Sequence, residues 1–144
     1  MGLFSKLFGG SLVSATRAGN VTKVRELLDN GSDPNELEQG YSALMFACEK
    51  GNLDLVRLLV ERGADVNARE PGLSLTPMMA AASGKGFQDE TQKESRGLEI
   101  LDLLVKHGAD VNAMGKQGQT AKQFAAESSL QGIVEFLEKN GASA

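Results

Sequence analysis

The side chains that could act as nucleophiles, bases or metal ligands are few and lie far apart in the sequence. His107 is the only histidine and Cys48 is the only cysteine. A zinc site, or a nucleophile activated by histidine, requires several such groups together. We therefore expect no catalytic residue, no metal site and no cofactor. His107 stands at an expected helix end, where a basic side chain favours the helix dipole, and Cys48 is interpreted as a small buried filler.

Two Gly-Lys pairs, Gly84–Lys85 and Gly115–Lys116, could belong to phosphate-binding loops. Such a loop needs Ser or Thr directly after the lysine, and the chain has Gly and Gln there. The net charge is −4, and Lys and Arg form no dense run. Because nucleic-acid binding depends on clustered cations, we expect no nucleic-acid partner, and we predict that the chain is not an enzyme.

The cysteine content and the apolar pattern both bear on location. One cysteine cannot form an intramolecular disulfide, which is typical of a reducing compartment. The longest apolar runs, such as residues 58–60, are much too short to cross a bilayer. No apolar segment of the signal-peptide type follows a basic start. We therefore expect a cytoplasmic protein, and we expect it to be a monomer.

A short pattern repeats along the chain. The sequence Gly-Ser-Asp-Pro-Asn at 31–35 returns as Gly-Ala-Asp-Val-Asn at 63–67 and again at 108–112, and Gly-Ala at 141–142 is a last copy. The glycines at 31, 63, 108 and 141 are 32, 45 and 33 residues apart. A period near 33 residues indicates a helical repeat array, with about a dozen additional residues in the third repeat.

A second pattern runs in phase with the first. Ser-Ala-Leu-Met-Phe-Ala at 42–47 aligns with Thr-Pro-Met-Met-Ala-Ala at 76–81 and with Thr-Ala-Lys-Gln-Phe-Ala at 120–125. These copies resemble the T-P-L-H-x-A signature of ankyrin repeats, and the resemblance covers roughly residues 11–142. It implies an all-α solenoid of about four ankyrin-like helix-turn-helix repeats with short hairpin-like loops. The expected divisions are an N-terminal amphipathic segment at 1–10 and an ankyrin-repeat domain at 11–144, with repeats at about 11–37, 38–70, 71–113 and 114–144.

The physics of one repeat agrees with this interpretation. Thr76 is a good N-cap, and Pro77 at the first helical position gives up no needed N–H group. A second helix with a Leu/Val stripe follows, and Gly63 is expected as its left-handed C-terminal cap. Asp65 and Asn67 are turn formers whose side chains can bond to nearby backbone. Each helix pair has an apolar face that only stacking can bury.

The resemblance implies that partners contact the hairpin tips and the first helices on the concave face. The matching positions are Glu38, Gln39, Tyr41, Met45, Glu49, Lys50, Leu73, Leu75, Met79, Lys116, Gln117 and Gln119. We expect Tyr41, Leu73, Leu75 and Met79 to be exposed anchors, because exposed apolar groups favour binding. Met45 and Met79 occupy the slot where the family usually has a histidine that braces the loops.

The additional residues of the third repeat lie near 84–97, between its two helices. Their charges cancel, and Asp89 and Lys93 are spaced to support a longer second helix. The favoured interpretation is a tolerated surface excursion, because long loops cost little entropy. The alternative is a partner-specific finger with Phe87 as its apolar tip.

The first ten residues contain a short apolar pattern. Leu3, Phe4, Leu7 and Phe8 fall on one face of a helix, which Gly9–Gly10 would end. A cap on the first repeat or a tail is favoured, because two turns with one lysine make a weak membrane anchor.

These observations predict a non-enzymatic protein–protein interaction module, an adaptor or scaffold that binds a partner protein through the concave face. Two alternatives stay open. One is an inhibitor or immunity-type protein that blocks one enzyme. The other is a membrane-peripheral module that uses the N-terminal segment.

Overall fold

A computed structural model describes residues 10–143, which form eight helices and one short hairpin. The first helices of the four repeats are α1 Leu12–Arg17, α3 Ala43–Lys50, α5 Pro77–Ser83 and α7 Ala121–Glu127. The second helices are α2 Val21–Asp29, α4 Leu53–Glu61, α6 Lys93–Lys106 and α8 Gln131–Lys139. Within residues 10–143, no helix is long and apolar enough to cross a bilayer. The predicted N-terminal amphipathic segment, and the membrane contact considered for it, lie outside the described residues except for Gly10.

The helices pack in two layers. The first helices stack in the order α1, α3, α5, α7, and the second helices stack as α2, α4, α6, α8. Each first helix also packs on the second helix of its own repeat. The buried side chains between the layers are mainly Leu, Val, Ile, Ala and Met, which form one continuous core. The predicted all-α solenoid is therefore confirmed.

The first helices begin in the same way in every repeat. A hydroxyl side chain accepts a hydrogen bond from the third backbone N–H of the helix, over 3.0 to 3.4 Å. This bond satisfies one of the N–H groups that a helix start leaves without a partner. Pro77 stands at the first turn of α5, as predicted. The capping residues are Ser11, Ser42, Thr76 and Thr120.

The second helices also share one ending. Gly63 has a φ of 95°, and its N–H donates to the Val60 carbonyl, while the Ala64 N–H donates to the Leu59 carbonyl. This pair of bonds is the Schellman ending, which needs a left-handed residue and so favours glycine. The predicted left-handed glycine is confirmed. The same ending recurs at Gly31, Gly108 and Gly141.

Asparagine side chains connect each repeat to the next. The Asn67 amide donates to the Gly108 carbonyl (3.1 Å) and accepts from the Asp110 N–H (2.8 Å). We expected Asn67 to bond to nearby backbone, and that prediction was wrong because its amide reaches the following repeat. Asp65 does bond locally, accepting from the Asn67 N–H. Equivalent inter-repeat bonds are made by Asn35 and Asn112.

The loops before the first helices differ in form. In repeat two, Leu37–Glu38 and Tyr41–Ser42 pair as antiparallel strands β1 and β2. The two residues between them, Gln39 and Gly40, have φ values of 54° and 86°. Two positive φ values match the tight turn whose twist suits a hairpin.

The additional residues of repeat three form a compact connection. Helix α6 has 14 residues, against nine in each of α2, α4 and α8. The expected extension of the second helix is therefore confirmed. The expected Asp89–Lys93 pair is wrong, because Lys93 pairs with Glu90 at 2.8 Å and Asp89 accepts from Thr91.

Candidate functional site

A groove of about 570 Å³ lies between the first helices and the loops of repeats two to four. Most of its accessible lining is apolar. The lining residues, which define the groove below, are Tyr41, Met45, Glu49, Glu70, Gly72, Leu73, Leu75, Met79, Ala80, Ser83, Lys85, Gly86 and Phe124.

A small residue lines the groove on the first helix of repeat three. Phe46, Ala80 and Phe124 occupy the same position, four residues after the N-cap of their first helices. Ala80 and Phe124 line the groove, so repeat three contributes a methyl group where repeat four contributes a phenyl ring. Leu73 and Leu75, from the loop before α5, also line the groove.

Glu70 braces the loop that carries these leucines. Its carboxylate accepts hydrogen bonds from the backbone N–H groups of Gly72 (2.6 Å), Leu73 (2.7 Å) and Leu75 (3.0 Å). Burial opposes ionisation of Glu70, but the N–H groups outweigh it, so the pKa of this carboxyl lies below its ordinary value. The loop is therefore held by a charged side chain.

A second set of bonds joins this loop to the loop of repeat four. The Arg69 guanidinium donates to the carbonyls of Ser74 (2.9 Å) and Met114 (2.6 Å). The Lys116 N–H donates to the Leu73 carbonyl over 2.7 Å. The wall of the groove is consequently fixed from two sides.

Six of the thirteen predicted contact residues line this groove. They are Tyr41, Met45, Glu49, Leu73, Leu75 and Met79. Their exposure differs: Leu73 is 39% exposed, whereas Met45 is 6% and Met79 only 1% exposed. The expected exposure of Met79 is wrong, because α5 lies between α3 and α7 and this side chain is covered. Tyr41 and Leu75 are half-buried. The ring centres of Tyr41 and Phe46 are 5.5 Å apart.

Other predicted contact residues lie outside the groove. The Glu38 carboxylate accepts from the Ser11 hydroxyl at 3.1 Å and so joins the hairpin to repeat one. Gln117 and Gln119 bond to each other within the loop of repeat four. Gln39, Lys50 and Lys116 are exposed.

Phe87 is not the exposed tip of a finger, so that expectation is wrong. Its side chain is only 7% exposed. It packs against Gly51, where an added Cβ would come within 2.8 Å of the ring. An aromatic side chain buries a large apolar area when such a place is available, so the segment folds back onto repeat two.

Sequence reasoning missed seven lining residues, namely Glu70, Gly72, Ala80, Ser83, Lys85, Gly86 and Phe124. Phe124 could have been found, because it stands in the third copy of the signature where Phe46 stands in the first. Glu70 gave no signal, since a lone carboxylate before a Pro-Gly pair resembles any loop residue. Lys85 belongs to the additional segment, whose path the repeat pattern does not determine.

Cys48 and His107, the one cysteine and the one histidine of the sequence, differ in burial. Burial raises the pKa of the Cys48 thiol far above its usual range, so it stays a neutral thiol. His107 is exposed and lies 2.9 Å from the Leu103 carbonyl. Within residues 10–143, no group of three or more His, Cys, Asp and Glu side chains could hold a metal ion. The interpretations of Cys48 as a buried filler and of His107 as a surface residue are confirmed.

Comparison with known families gives two matches. A family model described as "Ankyrin repeats (3 copies)" matches residues 12–93, which is more than half of the chain. A model described as "Ankyrin repeat" matches residues 74–116. A search of curated proteins finds no match to this chain.

Proposed function

Because this chain belongs to the ankyrin-repeat family, whose members are typically non-enzymatic protein–protein interaction modules, we propose that it is an adaptor or scaffold that binds another protein through the groove. We propose further that it has no catalytic activity of its own. The observation that carries the proposal is the groove itself, with its apolar lining and its braced wall.

The apolar side chains of the groove support contact with a partner. Leu73 is 39% exposed, and it stands beside the half-buried Leu75 and Tyr41. Apolar groups that converge in a concave surface favour burial against a partner's side chains. The loops are held by the Glu70 and Arg69 bonds, so little ordering entropy is lost on binding.

Selection of peptides from a random display library on the full chain tests the proposal. We expect selected peptides to carry apolar side chains, and we expect Leu73→Asp to weaken their binding about tenfold or more, because a charge in the groove would be desolvated. Leu37→Asp is the matched control, since Leu37 is 62% exposed and lies outside the groove. Selected peptides that bind both variants equally well would contradict the proposal.

The adaptor role is distinguished from the inhibitor alternative by the effect on the partner. Once a partner protein is identified, an adaptor should leave its activity in place, whereas an inhibitor should abolish it at an equimolar amount. A cytoplasmic location and a monomeric state remain proposals. The lone buried Cys48 supports the location, and sedimentation of the purified chain would measure its mass.

A further inference from the structure

A second hollow, of about 460 Å³, lies on the other side of the additional segment of repeat three. Its walls come from the ends of α1 and α3 and from residues 87–96 of repeat three. We name it the cationic pocket. Its lining residues are Arg17, Ala18, Gly19, Lys50, Gly51, Asn52, Phe87, Gln88, Asp89, Gln92 and Arg96.

The pocket exists because the additional segment is fixed to repeat two. The Phe87 ring is buried against Gly51, which has no side chain to keep it away. The Arg96 guanidinium donates to the Gly51 carbonyl (3.3 Å) and to the Gln92 side-chain oxygen (3.2 Å). Two anchors of different kinds therefore hold the outer wall of the pocket in place.

The charge of the pocket is opposite to that of the whole chain. Three cations, Arg17, Lys50 and Arg96, face one carboxylate, Asp89, in a chain of net charge −4. Among the described residues, none of these cations has a carboxylate oxygen within salt-bridge distance. The Asp89 carboxylate accepts from the N–H (2.9 Å) and the hydroxyl (2.6 Å) of Thr91. The cationic groups thus retain hydrogen-bonding capacity.

The orientations of the two arginine side chains in the cationic pocket are restricted by their contacts. Arg17 stacks over the Phe46 ring, with its guanidinium carbon 5.1 Å from the ring centre, which limits its orientation. Arg96 uses two of its five N–H donors in the bonds described above. Guanidinium groups bind carboxylates in bidentate fashion, and such charge-assisted bonds are stronger than neutral ones.

The cationic pocket and the groove border the same shallow depression. Arg17 and Lys50 also line a shallow depression together with Phe46 and Glu49, and Glu49 is itself part of the groove. One extended segment of a partner could therefore contact the groove and the cationic pocket at the same time.

We propose that the cationic pocket binds an acidic side chain, Asp or Glu, of the partner polypeptide, next to the apolar residues that occupy the groove. This inference rests on the proposed function and adds the chemistry of the partner to it. The additional segment of repeat three is then a specificity device, because it provides Arg96 and the outer wall.

Titration of the isotope-labelled full chain with a hexaglutamate peptide, followed by amide NMR shifts, tests the proposal directly. We expect shifts at Gly51, Asn52 and Gln88 that weaken as salt is added, because exposed charges are screened. The double variant Arg17→Gln/Lys50→Gln should weaken binding about tenfold. The charge-reversed variant Arg17→Glu/Lys50→Glu should instead show shifts of the same amides when hexalysine is added.

The matched control removes one arginine charge and one lysine charge at positions outside the cationic pocket. Arg57 and Lys139 are exposed and lie outside both hollows, so Arg57→Gln/Lys139→Gln should bind hexaglutamate like the unaltered chain. Equal losses in the two double variants would overturn the proposal. It would also be overturned if inorganic phosphate alone shifted these amides and hexaglutamate did not. Neither result bears on the proposal for the groove, which is tested separately by the binding of selected peptides to the Leu73→Asp variant.

Discussion

The groove and the cationic pocket lie on either side of one segment, yet they arise in different ways. The groove is made mainly of positions that every repeat has, in the loops and the first helices, and Lys85 and Gly86 join it from the additional segment. Ala80 is the small residue among its first-helix positions. The cationic pocket has a wall that only repeat three provides, anchored by Phe87 and Arg96.

This difference separates two kinds of specificity. A repeat position can change its side chain, but its place in the array is fixed by the stacking of the helices. An added segment can bring new side chains to a place that no repeat position reaches. The chain combines both, with apolar contact on one side of the segment and charge on the other.

The largest effect on stability is expected from removing the Phe87 ring, which anchors the additional segment on repeat two. Phe87→Ala deletes a ring that is 7% exposed and should lower the free energy of unfolding by about 3 kcal/mol. Urea unfolding measures the change. Leu37→Ala, at a side chain 62% exposed, should cost less than about 0.5 kcal/mol. If the free energy of unfolding falls equally little in both variants, Phe87 does not anchor the segment on repeat two, and the contrast between the groove and the cationic pocket is wrong.

An intermediate effect, confined to the groove, is expected from Glu70→Gln. The amide keeps one acceptor but loses the charge that three N–H groups share, so stability at pH 7 should fall by about 1–2 kcal/mol. Because the folded-state pKa of Glu70 is lowered, its contribution is complete above the ordinary carboxyl range, near pH 4, and is lost as the pH falls through the folded value.

Unfolding curves of both proteins between neutral and acid pH check this expectation. The Glu70→Gln variant should lose less stability on acidification than the unaltered chain. A parallel decline in the two proteins would show that the carboxylate is not what holds the loop.

The smallest effect on stability is expected at the cationic pocket. Arg17 and Lys50 are exposed, and Arg17 contributes mainly its contact with Phe46. Such exposed contacts are worth about 0.5–1 kcal/mol, so Arg17→Gln/Lys50→Gln should cost no more than about 1 kcal/mol by urea unfolding. A loss as large as that of Phe87→Ala would assign these cations to the fold and not to binding.

The fold was predictable because its signals repeat. Gly63 and its counterparts end helices in the left-handed conformation, and a hydroxyl residue caps every first helix. Each of these features is local, so residue type and spacing determine it. The bonds from Asn67 to the next repeat were not predictable. The sequence around a turn-forming asparagine is the same whether its amide bonds to its own loop or to the neighbouring repeat.

The candidate site was predictable only in part, for a physical reason. The pattern selected Leu73 and Leu75, which line the groove, but it gave Met79 and Phe87 the wrong exposure. Exposure depends on what lies opposite a side chain, and that neighbour comes from another repeat. For Phe87 the neighbour is the bare backbone of Gly51, far away in the sequence.

The inter-repeat asparagine bonds have a consequence for how such a chain can change over time. Asn35 and Asn112 reach carbonyls 28 and 29 residues further on, whereas Asn67 makes the same bond over 41 residues. The joint between neighbouring units therefore tolerates a longer path between the helices of one unit. Residues added between the two helices of one repeat can therefore bring new side chains to the surface without breaking the bonds that join neighbouring repeats.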